Sequence, residues 1–252
     1  MQNKLIIINA DDFGLSDSVN NAVAEAFKKG LISDTTMLAN GSAFNPAVAL
    51  ANERGFADKV GIHFNLTEGE PLTDEIKHCP AFCENGLFHN RINRLKPLNS
   101  AEKAAVYKEL TAQAKKVKTA GLSIDHADSH HHIHTAVFIA PIVFRICREY
   151  GIDKIRIHRN IGNISSRKRI IKSLYNRVLC KRGFKTTDYF GSLADIANGK
   201  LPDNLEIMVH PDYDKDGVLI DRRGAPYPTP KGVTLFSVSE KFGVKLTSYG
   251  EI

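Results

Sequence analysis

Short apolar runs and longer mixed segments alternate along this chain. The apolar runs are five to seven residues long, which is typical of buried strands, and the segments between them contain residues that start and stop helices. Predicted strands cover residues 5–9, 35–39, 60–66, 122–128, 154–158, 205–210 and 244–249. Predicted helices cover residues 18–29, 45–54, 100–120, 136–150 and 235–241, with a basic helix in the segment 167–185. This alternation predicts an α/β fold with mostly parallel strands, in an open sheet or a closed barrel.

The helix boundaries depend on individual capping residues. Ser16 or Asp17 precedes the first predicted helix and is suited to accept hydrogen bonds from its free amide groups, and Gly30 ends it. Ser100 and Gly121 bound the long helix in the middle of the chain in the same way. Because the helices begin and end at these residues, the strand ends and the residues that directly follow them lie outside the predicted helices.

The size and organisation of the chain predict one domain. Its 252 residues, 42% of them hydrophobic, are enough for a sizeable core, and no repeat or linker divides residues 1–252. Two long stretches, 67–99 and 211–232, are rich in Gly, Pro, Asp and Asn. Loops of this length in a compact domain are commonly functional, and we expect residues 67–99 to border the substrate.

Charge and composition restrict the cellular environment and the binding partners that we expect for this chain. The net charge is +6, and residues 167–185 contain eight basic side chains and no acidic one. A solvated helix face explains this segment better than nucleic acid or an anionic membrane does, so we expect neither as a partner. The four cysteines are too sparse for a disulfide framework and no signal peptide is evident, which predicts a cytoplasmic protein with reduced thiols. The oligomeric state stays open, and a homodimer is one option.

Ionisable residues cluster where the predicted strands end. Asp11 and Asp12 follow the first strand, and His63 lies near the end of the third. The other members are the stretch DHADSHHHIH at 125–134, Arg156, His158 and Arg159 at the fifth strand, and His210 at the sixth. Because the carboxyl ends of parallel strands form one face, where active sites lie in such folds, we expect these side chains to meet there.

A metal site explains this cluster better than packing does. Each residue has an ordinary explanation by itself, since Asp commonly caps strand ends and a lone His such as His63 is commonly half-buried. Together they are harder to attribute to packing, because every buried ionisable group loses solvation. One Asp and two His would supply three ligands and leave positions for water and substrate. One of Asp11 and Asp12 would then bind the cation while the other acts as a base.

Four motifs, NADDFG, GIHFNLTEGEPL, DSHHHIH and VHP, resemble in order and content the YdjC-like family of carbohydrate deacetylases, across residues 9–211. The resemblance implies a distorted (β/α) barrel related to the polysaccharide deacetylases. It also implies a divalent metal held by Asp12, His63 and His130. In that scheme Asp11 is the general base and His210 is a candidate general acid.

The implied reaction removes the N-acetyl group from an acetylated amino sugar or a short, chitooligosaccharide-like oligosaccharide and releases acetate. The resemblance favours Mg²⁺, whereas two imidazole ligands favour Zn²⁺, so both metals stay open. A metal-dependent phosphoesterase that binds phosphate through Arg156 and Arg159 is an alternative, and so is a non-catalytic sugar-binding protein. Cys79 and Cys83 form a weaker candidate zinc site, for which a plain loop is the simpler interpretation. The identity of the sugar and any phosphate on it are not determined by the sequence.

Overall fold

A computed structural model describes residues 4–196, 201–223, 233–235 and 237–252 of the chain. Its strands are β1 Ile6–Phe13, β2 Asp34–Met37, β3 Val60–Phe64, β4 Cys83–Glu84, β5 Leu87–Phe88, β6 His126–Ser129, β7 Lys154–Ile155, β8 Tyr189–Ser192, β9 Leu205–Val209, β10 Pro211–Tyr213, β11 Leu219–Asp221 and β12 Val233–Thr234. Its helices are α1 Asp17–Lys28, α2 Phe44–Glu53, α3 Asp74–Lys77, α4 Ser100–Thr119, α5 Ala140–Tyr150, α6 Ser166–Lys181, α7 Leu193–Ile196 and α8 Val238–Phe242.

Seven strands form one parallel sheet in the order β7-β6-β3-β2-β1-β9-β8, curved into a half-barrel. Every pairing within this sheet is parallel, so all seven carboxyl ends lie at the same edge. Strands β10 to β12 form a small antiparallel sheet, and β4 and β5 form a hairpin. The predicted α/β class with mostly parallel strands is confirmed. Among the described residues, no helix combines the length and apolar character needed to cross a membrane.

The two faces of the main sheet differ in chemistry. In β1, the alternate residues Ile6, Ile8 and Ala10 belong to the hydrophobic core. Asn9 and Asp11 alternate with them in sequence and bond to each other, and they also bond to Thr36 of β2 and to Arg156, the residue after β7, respectively. Successive strand side chains point to opposite faces, so one face packs on the apolar core while the other is polar and buried. This polar face positions the candidate site.

Capping residues set the helix boundaries largely as expected. Ser16 accepts a hydrogen bond from the Val19 amide at the start of α1, as predicted. The N-cap of α4 is Asn99 instead of the predicted Ser100, and its side chain and Glu102 form a reciprocal capping box. Helix α5 ends at Gly151, whose φ of 73° is readily adopted only by glycine.

The predicted strand at 244–249 is wrong. Its Thr247 amide donates to the carbonyl of Ile6, but β1 is already paired with β2 on one side and β9 on the other. Ser33 and β2 occupy that edge of β1 from Ile8 onward, so only its short beginning is open to the segment, which then runs into a 3₁₀ turn at Tyr249–Glu251. The predicted helix 235–241 is the shorter α8, and part of the 211–232 stretch lies outside the described residues. Strand β8 was not predicted, because its four residues, YFGS, carry almost no hydrophobic pattern.

Candidate active site

A β-bulge explains why two neighbouring acids reach the same side of the sheet. Ala10 pairs with Thr35 and Phe13 with Met37, so two residues of β1 face one residue of β2. The extra residue is Asp12, which adopts a φ of 70°. In a regular strand Asp11 and Asp12 would point to opposite faces, whereas the bulge turns both toward the polar face.

Asp12, His63 and His130 converge on one point. Nε2 of His63 lies 3.2 Å and Nδ1 of His130 lies 2.7 Å from Oδ1 of Asp12. All three side chains are almost completely buried, and one ligand atom from each lies within 4.8 Å of the others. The second oxygen of Asp12 accepts a hydrogen bond of 2.5 Å from Arg222. The structure therefore brings together the three predicted ligands, which arrive from β1, β3 and the turn after β6.

Asp11 has a different partner. The guanidinium of Arg156 donates to both oxygens of the Asp11 carboxylate at 2.7 Å, and its Nε donates to Glu206 at 2.7 Å. Arg156 also pairs with Asp128, and its side chain has no exposed surface. Tyr249 donates to the remaining oxygen of Glu206 at 2.6 Å. One buried arginine thus links three carboxylates on separate strands.

The electrostatics of this site favour a bound cation. Burial raises the pKa of Asp11, but the charge and hydrogen bonds of Arg156 outweigh it and hold that pKa well below its usual value. Burial also raises the pKa of Asp12, and contacts from His130 and His63 bring it well below the usual value. Burial lowers the pKa of His63, yet the charge of Asp128 and the hydrogen bond with Asp12 raise it to about 10. Because the surroundings stabilise positive charge at His63, a divalent cation with a neutral imidazole fits this donor set.

A cavity of about 310 Å³ opens beside these groups. His210 lines it, with Nε2 lying 3.9 Å from Asp11 Oδ2 and Nδ1 lying 3.7 Å from Asp221 Oδ1. Other residues of the cavity wall are Asp11, His63, Asn90, Arg94, Ser129, His130, His131, His132, Met208 and Arg223. The predicted general base and general acid therefore face the same space as two of the predicted ligands.

The three consecutive histidines form a strained turn. His131 and His132 have φ angles of 50° and 54°, the left-handed conformation that non-glycine residues rarely adopt. Arg94 donates to both of their carbonyl groups, and Thr67 bonds to the His131 ring at 3.1 Å. Such strain persists only where surrounding contacts over-determine the backbone. All three contacts come from two residues of the long segment 67–99, Thr67 and Arg94.

Other residues of the predicted cluster do not join the candidate ligands. Arg159 forms an ion pair with Asp195. The ring of His158 packs edge-on against the ring of Tyr175, with the ring centroids 5.0 Å apart. Arg156 is fully occupied by carboxylates, which removes the main support for a phosphate-binding site. The free Cys79 and Cys83 belong to none of the metal-suited groups found in the described part of the chain.

Four residues that contact the site had no predicted role. Asp128 and Glu68 bond directly to His63 and His130, whereas Glu206 and Tyr249 are linked to the site through Arg156. A weak signal existed for Glu206, because it is the one charged residue in the apolar stretch LEIMV. A charged residue in such a buried strand requires a partner, and the same pattern holds for Arg156 between Ile155 and Ile157. Nothing in the pattern pointed to Tyr249, which lies 43 residues from Glu206.

A polar cavity with convergent ionisable side chains at the carboxyl edge of a parallel sheet is the usual arrangement of an active site in an α/β fold. The family model described as YdjC-like protein matches residues 5–234. This chain belongs to the YdjC-like family.

Similar proteins include curated relatives and one solved structure. A carbohydrate deacetylase of Listeria welshimeri is 33% identical over 211 residues, which cover 82% of this chain and 81% of that protein. A carbohydrate deacetylase of Clostridium beijerinckii is 32% identical over 234 residues, covering 90% and 88% respectively. A crystal structure from Enterococcus faecalis V583, named provisionally for cellobiose-phosphate cleavage, covers 99% of both chains with a TM-score of 0.72 and 23% identity. This structural similarity supports the fold described above.

Proposed function

We propose that this chain is a metal-dependent carbohydrate deacetylase that hydrolyses the N-acetyl group of an amino sugar or a short chitooligosaccharide-like substrate. The observation that carries the proposal is the convergence of His63 Nε2 and His130 Nδ1 on one oxygen of Asp12, beside a cavity lined by Asp11. The names of curated relatives that match most of the chain support the reaction type.

Asp12, His63 and His130 are the side chains that would hold the cation. When bound there, a divalent cation supplies a Lewis acid that polarises the acetyl carbonyl and lowers the pKa of a water molecule. Asp12 presents one oxygen toward both imidazoles while Arg222 binds the other, which leaves a single carboxylate oxygen for the cation. Mg²⁺ is our first candidate, and Zn²⁺ is the alternative that the two imidazoles favour.

Asp11 is the proposed general base. Its ion pair with Arg156 keeps the carboxylate ionised. Oδ1 accepts from both Arg156 and Asn9, so Oδ2 is the oxygen with a lone pair left to accept the proton of the attacking water. The same ion pair fixes the orientation of the carboxylate beside the cavity. Asp11 would therefore be ionised and oriented to accept the proton before the water attacks.

His210 is the proposed general acid. Its Nε2 lies on the Asp11 side of the cavity, and Asp221 lies near its Nδ1 and also accepts a hydrogen bond from its backbone amide. An imidazolium can give a proton to the departing amine, which is a poor leaving group without it. The proton that Asp11 accepts from water and the one that His210 donates together balance the hydrolysis to acetate and a free amine.

An acetate-release assay on N-acetylated mono- and disaccharides tests the proposal. After chelation and addition of Mg²⁺ or Zn²⁺, we expect equal amounts of acetate and free amine, and no product without metal. Parallel incubation with p-nitrophenyl phosphate tests the phosphoesterase alternative. Release of phosphate without acetate, or sugar binding without either product, would contradict the proposed reaction.

A further inference from the structure

The two proposed histidine ligands, His63 and His130, each have a second carboxylate beside the ring nitrogen that faces away from Asp12. Nε2 of His63 faces Asp12, and its Nδ1 lies 2.6 Å from Oδ1 of Asp128. His130 has the opposite orientation, with Nδ1 toward Asp12 and Nε2 at 2.9 Å from Oε2 of Glu68. Both imidazoles therefore lie between the shared carboxylate of Asp12 and a second acid.

The two outer acids differ in location. Asp128 belongs to β6 and is 1% exposed, so the sheet holds it rigidly. Glu68 belongs to the long segment 67–99, and its side chain is 57% exposed. The orientation of His63 is therefore determined by the core, whereas that of His130 depends on a surface loop.

The backbone of this loop is built to hold Glu68 in place. Asn65 accepts a hydrogen bond from the Glu68 amide and donates one to its carbonyl, at 3.2 and 2.7 Å. Asn40 donates a further one of 3.1 Å to the same carbonyl. The adjacent Thr67 bonds to the ring of His131. The loop thus docks onto the histidine turn at two consecutive residues.

We propose that Glu68 is a positioning residue for the metal ligand His130 and that it couples the position of the loop to metal affinity. The inference rests on the proposed metal centre. By accepting a hydrogen bond from Nε2–H of His130, Glu68 leaves the Nδ1 lone pair directed at Asp12 and makes the ring a stronger ligand. Metal binding in turn holds the loop closed over the histidine turn.

Zn²⁺ affinity, measured by competition with a chromophoric chelator on chelator-stripped protein, tests this role. Loss of an outer carboxylate partner of a ligating histidine typically weakens metal binding about 10- to 100-fold. We expect that loss for Glu68→Ala and a smaller one for Glu68→Gln, because the amide oxygen still accepts from His130. Glu70→Gln is the matched control, since Glu70 is an exposed acid on the same loop and pairs with Lys77. Its affinity should equal that of the wild type.

Hydrogen exchange adds a second measurement that does not depend on activity. Zn²⁺ should protect the amides of residues 66–70 in the wild type and in Glu70→Gln, but not in Glu68→Ala. Unchanged Zn²⁺ affinity in Glu68→Ala, with a native circular dichroism spectrum, would overturn the inference. Loss of stoichiometric Zn²⁺ at saturating metal would also overturn it, because Glu68 would then be a ligand itself. If the wild type binds no Zn²⁺ and no Mg²⁺, the metal centre of the proposed function fails instead.

Discussion

The guanidinium of Arg156 donates to both carboxylate oxygens of Asp11 at 2.7 Å, and both side chains are at most 2% exposed. This pair lies at the centre of the polar face. It separates the roles of two neighbouring acids, because Asp11 is neutralised by a fixed cation while Asp12 faces two imidazoles.

Replacing Arg156 by Met should destabilise the fold strongly. The substitution would leave Asp11, Asp128 and Glu206 buried without their shared cation, and breaking a buried ion pair costs about 3–5 kcal/mol. Urea denaturation measures the change. Arg145→Met is the control, because its ion pair with Glu149 is exposed to solvent and should contribute little to stability. Equal losses in the two variants would argue against a network centred on Arg156.

Asn substitutions at Asp11 and at Asp12 should have different effects, because the two acids have different proposed roles. Asp11→Asn should retain stoichiometric metal and lose roughly 10²- to 10⁴-fold in turnover, as expected for a missing general base. Asp12→Asn should lower the metal content itself, since it weakens the oxygen on which both imidazoles converge. Elemental analysis and acetate release give the two readouts. Metal loss in Asp11→Asn would show that the roles have been assigned the wrong way round.

His210→Ala should lower kcat and spare the metal content. The effect should be smaller for an N-acetyl anilide with an activated leaving group than for a sugar amide, because the former needs less protonation as it departs. The comparison of kcat on the two substrates checks this. If both substrates lose activity equally, the proton comes from another residue of the cavity wall, for which His132 is a candidate.

Binding of an N-acetylated sugar should protect the segment 67–99 from hydrogen exchange. Asn90 and Arg94 of this segment line the cavity, and Arg94 holds the strained carbonyls of His131 and His132. Exchange of α2, on another part of the surface, serves as the internal reference. A sugar that saturates the enzyme without slowing exchange in 67–99 would exclude this segment from the substrate-binding surface.

Stability should fall as the pH decreases from about 6.5 toward 4, in part because of His158. Burial lowers the pKa of His158 to about 4, and Lys172 and Arg94 add to this effect. Between the two values the unfolded chain binds a proton that the folded chain does not, so acid favours unfolding. One such proton changes the free energy of unfolding by about 1.4 kcal/mol per pH unit.

Urea denaturation of His158→Gln across this range checks the assignment. The variant should show a shallower loss of stability with falling pH than the wild type, whatever its stability at neutral pH. Identical slopes in the two proteins would mean that His158 is protonated equally in the folded and unfolded states.

Much of the fold was predictable because it depends on local pattern. Apolar runs such as residues 5–9 and 60–66 are typical of buried strands, and Ser16 and Gly151 mark helix ends through their own backbone preferences. The pattern failed at 244–249, where strand-like residues meet an edge of β1 that Ser33 and β2 already occupy from Ile8 onward. Whether an edge is free is a property of the assembled sheet.

The sequence by itself determined that acids and histidines collect at the ends of parallel strands, because chain order and side-chain alternation dictate that placement. Only the tertiary structure decided which group contacts which. The bulge at Asp12 turns two neighbouring carboxylates to one face, and Arg156 reaches Asp11 across 145 residues of chain. The pairing of Glu68 with His130 depends on a loop that docks from outside the sheet. Such contacts depend on distances in three dimensions, which cannot be read from the spacing of residues along the chain.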